Sequence, residues 1–273
     1  MVFASRSSRI INRRAQRRDP AAASFYNAMR ENGYDADTYI DVLPKQRLIY
    51  LNVPKSASTT VRSILSTLEW GKPPPLNVIY KRRCSGLRSP AHIGISAFHQ
   101  LVKNPDTLRF SFVRNPYARL VSAWADKFEG KPIIAGDQFI DTYRTHRALV
   151  ARSLPDGAER GLSFADFVEF AAATAHLGVD SHWQLQENLV SGPGIALDFI
   201  GRLENFDDDI DHVLDHAHAG DRFREMVSSQ LNRSHHLRWQ HYYTDALAAR
   251  VYSAYERDFD RFGYARAISL AAA

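Results

Sequence analysis

Cysteine is almost missing from this sequence: Cys84 stands alone, which excludes an intrachain disulfide. A lone thiol, with no apolar stretch built like a secretory signal, fits a reducing compartment, and a cytoplasmic location is the expectation. No apolar run approaches the ~18 residues that a membrane span needs. Acidic residues are scarce in the first twenty positions, where Arg6, Arg9, Arg13, Arg14, Arg17 and Arg18 face only Asp19. That excess equals the formal +5 of the whole chain, so the remainder sums to zero. The pI near 9.3 therefore describes a tail, and a nucleic-acid-binding face loses its main support. The tail reads as a solvated basic leader, with peripheral contact to an anionic membrane surface left open. The GxxxxGK[ST] spacing of a Walker loop is absent, as are H-x-x-x-H and Cys/His metal spacings, so no metal is expected.

What the sequence does have is enough apolar material, 45% of 273 residues, to bury one sizeable core. Residues 47–53 (RLIYLNV) read as a buried strand, and Val61, Ile64, Leu65 and Leu68 mark one face of a following helix. Residues 108–113 (LRFSFV) make a second strand, and Asn115-Pro116 starts a helix in cap and first-turn positions. Ser163-Phe-Ala-Asp166 is a capping box, residues 196–200 (ALDFI) a third core strand, and Asp207, Asp208 and Asp209 suit a helix N-terminus. Thr244 opens a last helix running towards Phe262-Gly263. Repeated strand, turn and helix predict an α/β fold with a central parallel sheet flanked by helices in three layers. The expected organisation is a leader and N-terminal helical segment over residues 1–40, then one domain over 41–265. Cys84, beside Lys81-Arg82-Arg83, reads as a loop thiol, and residues 130–160 as an insertion near the substrate.

Two stretches carry chemistry. Lys55-Ser56-Ala57-Ser58-Thr59-Thr60 lies between the first strand and its helix, where unpaired N–H groups and the positive helix end make an anion site. Lys55 adds a mobile cation, the hydroxyls add donors, and small residues at 56–58 let an anion approach the backbone. Taken alone, the cluster is equally an ordinary Ser/Thr-rich helix cap. In Arg114-Asn115-Pro116-Tyr117-Ala118-Arg119-Leu120-Val121-Ser122-Ala123-Trp124, Arg114 leaves a buried strand at the sheet edge where α/β proteins bind ligands. A guanidinium and the Ser122 hydroxyl make a clamp for a terminal phosphate.

Taken together and in this order, the two stretches resemble the paired donor-binding motifs of sulfotransferases that use 3′-phosphoadenosine 5′-phosphosulfate (PAPS). The likeness is greatest to the Golgi carbohydrate sulfotransferases acting on chondroitin and heparan. It continues through Asp180-Ser181-His182-Trp183, through Asp198-Phe199-Ile200-Gly201-Arg202-Leu203-Glu204, and into Tyr255-Glu256-Arg257-Asp258-Phe259 with Phe262-Gly263-Tyr264. The resemblance implies a P-loop-like sulfotransferase fold. Residues 55–60 would hold the 5′-phosphosulfate, with Lys55 on the oxygen bridging phosphate and sulfate. Arg114 and Ser122 would hold the 3′-phosphate, and Arg233 and Ser234 would lie in a loop closing over the donor. His92 falls in a segment like one near the acceptor hydroxyl in the heparan branch, which would make it the general base, and His182 is its competitor. The chain departs from the Golgi enzymes in lacking an anchor helix and the cysteines after the His-Trp segment. Asn52 also replaces a basic residue of the heparan branch. A soluble form of bacterial type is implied.

The reaction so implied is in-line transfer of a sulfuryl group to a hydroxyl of a carbohydrate or glycolipid. The protein's part is positioning and charge stabilisation. Two other readings compete: a nucleotide-dependent kinase, which should show a Walker lysine and a metal-binding carboxylate, and a non-catalytic nucleic-acid-binding protein, which needs a basic folded surface.

Overall fold

A computed structural model describes residues 18–73, 75, 78–130, 142, 145, 162–221, 223 and 239–268. The chain divides into two compact units, one comprising Met1–Val53, Ala57–Val113 and Leu189–Asn232, the other Pro54–Ser56, Arg114–Asn188 and Arg233–Ala273.

The first unit is built on a four-stranded sheet in the order β1 (Ile40–Leu43), β2 (Leu48–Leu51), β3 (Leu108–Val113) and β4 (Phe199–Arg202). Strands β2, β3 and β4 run parallel, as the sequence implies, but β1 pairs antiparallel with β2, so the sheet is mixed. The cause is connection length. Residues 44–47 suffice for a tight turn, whereas a parallel return needs a crossover of a dozen residues or so. Alternation along the strands divides the core between two faces. Tyr50, Phe110 and Phe112 pack with Val61, Ile64 and Leu65 of the helix Ser58–Trp70 and with Ile210 and Val213 of the helix Phe206–His216. Ile40, Val42, Ile49 and Leu51 pack on the other side with Tyr26 and Met29 of the helix Pro20–Glu31 and with Phe98 of the helix Ile95–Lys103. The result is helix, sheet, helix, the three expected layers.

Two local features fix this sheet. Gly201 sits opposite Phe112, and a Cβ added there would fall 2.5 Å from the Phe112 ring. Asp198 ends the approach to β4 by accepting from the Arg109 backbone N–H at 2.8 Å and from its guanidinium at 2.7 and 2.6 Å. The strand accordingly begins at Phe199 rather than at residue 196. Cys84 is exposed and lies in a helical turn, Arg82–Ser85, instead of a loop.

The second unit is helical. Its core joins Tyr117, Leu120 and Trp124 of the helix Pro116–Lys127, Phe167 and Phe170 of Phe164–Thr174, and Tyr255 and Phe259 of Asp245–Phe262 around the fully buried Trp183. The expected caps form: Asn115 accepts from Tyr117 N–H at 3.0 Å, Ser163 from Asp166 N–H at 3.2 Å, and Thr244 from Leu247 N–H at 3.3 Å. Gly263 closes the last helix in the left-handed conformation, φ 64°. Among the described residues no helix is long and apolar enough to cross a membrane. The stretch 130–160 lies almost wholly outside the described residues, and Arg233 and Ser234 lie entirely outside them.

Candidate functional site

The turn after β2 holds two residues with side chains in the left-handed region, Lys55 at φ 70° and Ala57 at φ 59°. Each costs about 1 kcal/mol or more, because Cβ crowds the following carbonyl, and such strain collects at ligand-binding turns. Left-handed residues in a turn aim successive N–H groups into one concavity, a shape suited to anions. Ala57 is the N-cap of the helix Ser58–Trp70, no side chain caps that end, and its first turn holds no acid. Neither a side-chain cap nor an acid of its own first turn therefore offsets the positive end of that helix. In the first unit the Tyr80 hydroxyl meets Thr59 Oγ1 at 2.6 Å and Ser58 Oγ at 3.3 Å, while its ring lies over the Arg62 guanidinium at 5.1 Å. Arg62 is itself anchored on the buried Asp41 carboxylate, as is Arg82, both at 2.6 Å. Thr60 is partly buried one position further along the same helix.

In the second unit, Lys55 Nζ lies 3.0 Å from Asp126 Oδ2, and Lys127 Nζ reaches the same oxygen at 3.0 Å. Burial lowers the Lys55 pKa, against the opposing pull of Asp126. Burial also pushes the Asp126 carboxyl up, but the hydrogen bonds and charges of Lys55 and Lys127 outweigh it and bring it down to about 2. One carboxylate oxygen thus faces two lysine side chains. Ser122 lies half-buried one helical turn before Asp126, so it shares that face of the helix Pro116–Lys127.

Bonded to Pro54, Ser56 or one another in the second unit are groups to which the sequence assigns no role. Arg119 is 1% exposed. It donates from Nε to the Pro54 carbonyl at 3.0 Å, from Nη1 to that of Gln184 at 2.7 Å, and from Nη2 to that of Ser181 at 2.7 Å. Gln186, wholly buried, accepts through Oε1 from Ser56 Oγ at 3.1 Å and from Arg114 N–H at 2.9 Å, and donates from Nε2 to the Arg114 carbonyl at 2.8 Å. Asp258, also wholly buried, accepts from the N–H groups of Gln186 and Glu187 at 2.9 Å each. Burial raises its carboxyl pKa despite those bonds. Arg114 Nη1 reaches the Lys55 carbonyl at 3.4 Å.

Within the second unit, then, Lys55, Ser56 and Arg114 are brought together, with Ser122 on the helix face that carries Lys55's partner. His92 belongs to the first unit, exposed on the helical turn Pro90–Ile93, its Nδ1 2.7 Å from Ser89 Oγ. His182 belongs to the second unit, its Nδ1 2.6 Å from Asp180 Oδ1. Among the described residues no His, Cys, Asp and Glu side chains cluster as a metal site. The sequence reading passed over Arg119, Gln186, Asp126 and Tyr80. Asp258 left the clearest trace: an acid between buried Tyr255 and Phe259, on the face of a helix that should be apolar.

Comparison with known proteins gives one family. The model of the sulfotransferase family matches residues 38–265. Carbohydrate sulfotransferase 10 of Xenopus laevis is 26% identical over 251 residues, which cover 82% of this chain and 67% of that protein. Carbohydrate sulfotransferase 8 of Mus musculus is 27% identical over 259 residues, 84% of this chain and 57% of that protein. Carbohydrate sulfotransferase 12 of Mus musculus is 28% identical over 253 residues, with 80% and 58% covered. The chain thus spans about two thirds of the length of these relatives, or less. No solved structure matches.

Proposed function

The chain belongs to the sulfotransferase family, and from that premise we propose that it moves the sulfuryl group of PAPS onto a hydroxyl of a carbohydrate or glycolipid. The observation that carries this is the turn 54–60: two left-handed residues, an uncapped helix end and a lysine, all suited to an anion held against the backbone. The donor supplies a sulfuryl group already activated on a phosphate. In this reading the N–H groups of Ser56, Ala57, Ser58, Thr59 and Thr60, with the hydroxyls of Ser58, Thr59 and Thr60, receive the 5′-phosphosulfate oxygens. Arg114 and Ser122 receive the 3′-phosphate, and Arg233 and Ser234 close over it. Lys55 leaves Asp126 to neutralise charge on the bridging oxygen as the S–O bond to it breaks and the acceptor O–S bond forms. The acceptor's proton passes to a general base, with no metal taking part. The arginine-rich leader serves at most as a contact with an anionic surface.

For the base, His92 is the assignment that the resemblance supports. A second reading has an observation behind it: Asp180 orients His182 through Nδ1, and Arg119 binds the Ser181 and Pro54 carbonyls with one guanidinium. A base needs such an orienting partner and must come within ~3 Å of its proton. Replacing each histidine by alanine separates the two, since only the base should lose ~10²–10⁴-fold in kcat.

The test of the activity is transfer of label from ³⁵S-PAPS to a panel of oligosaccharides and glycolipids. Labelled acceptor should form, and Lys55→Ala should lower kcat by ~10²-fold or more with a smaller change in donor binding. Transfer of the γ-phosphoryl of ATP, without sulfuryl transfer, would reverse the assignment in favour of a kinase.

A further inference from the structure

Among the described residues, the buried Gln186 side chain is bonded to both donor motifs. Its amide oxygen takes the Ser56 hydroxyl from the phosphosulfate turn, and both of its ends pair with the Arg114 backbone, N–H to Oε1 and Nε2 to C=O. This is the two-bond pattern that a neighbouring strand would make, supplied instead by a side chain just where β3 ends at Val113. The amide cannot rotate to exchange its ends, because Oε1 has two donors and Nε2 faces the Arg114 carbonyl and, at 3.4 Å, Asp258 Oδ2. Asp258 holds the Gln186 backbone as well, so the side chain is fixed at both ends.

We infer that Gln186 is a positioning residue that sets the spacing between the 5′-phosphosulfate turn and Arg114, and that Ser56 serves the donor through its backbone N–H alone. The inference rests on the donor reading above. The Ser56 side chain is wholly buried and points its hydroxyl at Gln186, which leaves the hydroxyls of Ser58, Thr59 and Thr60 to meet the donor. A donor that is held at two phosphate ends binds tightly only if both receiving sites keep a fixed separation. A slack link between them lowers affinity without removing any group that touches the ligand.

The experiment titrates adenosine 3′,5′-bisphosphate into the full chain by calorimetry from pH 5.5 to 8. Gln186→Leu removes the bonds that Gln186 makes to the Arg114 N–H and C=O and should weaken binding tenfold or more. Gln186→Glu is the sharper probe. Its neutral form can donate O–H to the Arg114 carbonyl and still accept from the N–H, whereas its ionised form faces that carbonyl and the Asp258 carboxylate. The ratio of wild-type to Gln186→Glu affinity should be near one at pH 5.5 and tenfold or more at pH 8. Ser56→Ala should lose a few-fold in affinity, and adding it to Gln186→Leu should cost nothing further, because both cut the same link. A pH-independent ratio near one for Gln186→Glu, or additive losses in the double mutant, overturns the inference. If the wild-type chain does not bind the bisphosphate at all, the donor reading itself has failed.

Discussion

Replacing Arg119 by methionine should destabilise the protein by about 3 kcal/mol, a value that follows from its bonding. Methionine refills most of the aliphatic stem, so packing changes little and the loss is one of hydrogen bonds. The buried Pro54 carbonyl and the part-buried carbonyls of Ser181 and Gln184 would be left without this donor, at about 1 kcal/mol each. Asp258 would also lose a cation that now offsets its burial. Against this stands relief for the guanidinium, whose pKa burial already lowers, and removal of a desolvated charge keeps the net near the lower end of about 3–5 kcal/mol. Tm should then fall by about 6–12 °C, at about 2–4 °C per kcal/mol for a chain of this size. Urea unfolding followed by circular dichroism measures the difference, and Arg119→Lys should recover only part, since one ammonium cannot serve three diverging carbonyls. A change below about 1 kcal/mol would mean that the carbonyls find water or other donors and that the guanidinium is not what holds the start of the turn.

Other expectations concern the sheet and the charged pair. Gly201→Ala places a methyl 2.5 Å from the Phe112 ring and should cost about 1–3 kcal/mol of stability in denaturant unfolding. Asp126 has its folded pKa depressed to about 2, so its pairing adds stability above the unfolded value of about 3.9, which is lost as pH falls from about 4 towards 2. The pair is partly exposed, with the Asp126 side chain 46% accessible, so screening limits it to under about 1 kcal/mol. Asp126→Asn should flatten that part of the acid dependence between about pH 5 and 2, and an unchanged slope would count against the pairing. Arg114→Ala should weaken adenosine 3′,5′-bisphosphate by about tenfold or more yet leave 5′-AMP binding nearly unchanged. Equal losses for both ligands would remove Arg114 from the 3′-phosphate.

The fold was legible wherever a local pattern carries the information. Val61, Ile64 and Leu65 announce their helix by spacing, and Asn115, Ser163 and Thr244 announce theirs by cap chemistry, because both depend on residues within one or two turns. Strand β1 escaped notice because Asp41 interrupts a four-residue apolar run, and its burial makes sense only with Arg62 and Arg82, 21 and 41 positions away. The site divides in the same way. Lys55 and Arg114 follow strands and stand out, whereas Gln186 and Arg119 bond groups 62 to 130 residues distant, where side-chain periodicity says nothing. The left-handed Lys55 and Ala57 were equally invisible, since neither is the glycine that usually marks such a turn.

The most direct measurement of the central claim is a calorimetric titration of the wild-type chain with adenosine 3′,5′-bisphosphate, 5′-AMP and ATP under one set of salt and pH conditions. The bisphosphate should bind at least tenfold more tightly than either competitor, because only it offers phosphates to both the turn at 55–60 and Arg114, and Arg114→Ala should erase the preference. Equal affinities, or tighter binding of ATP, would contradict the assignment of PAPS as the donor.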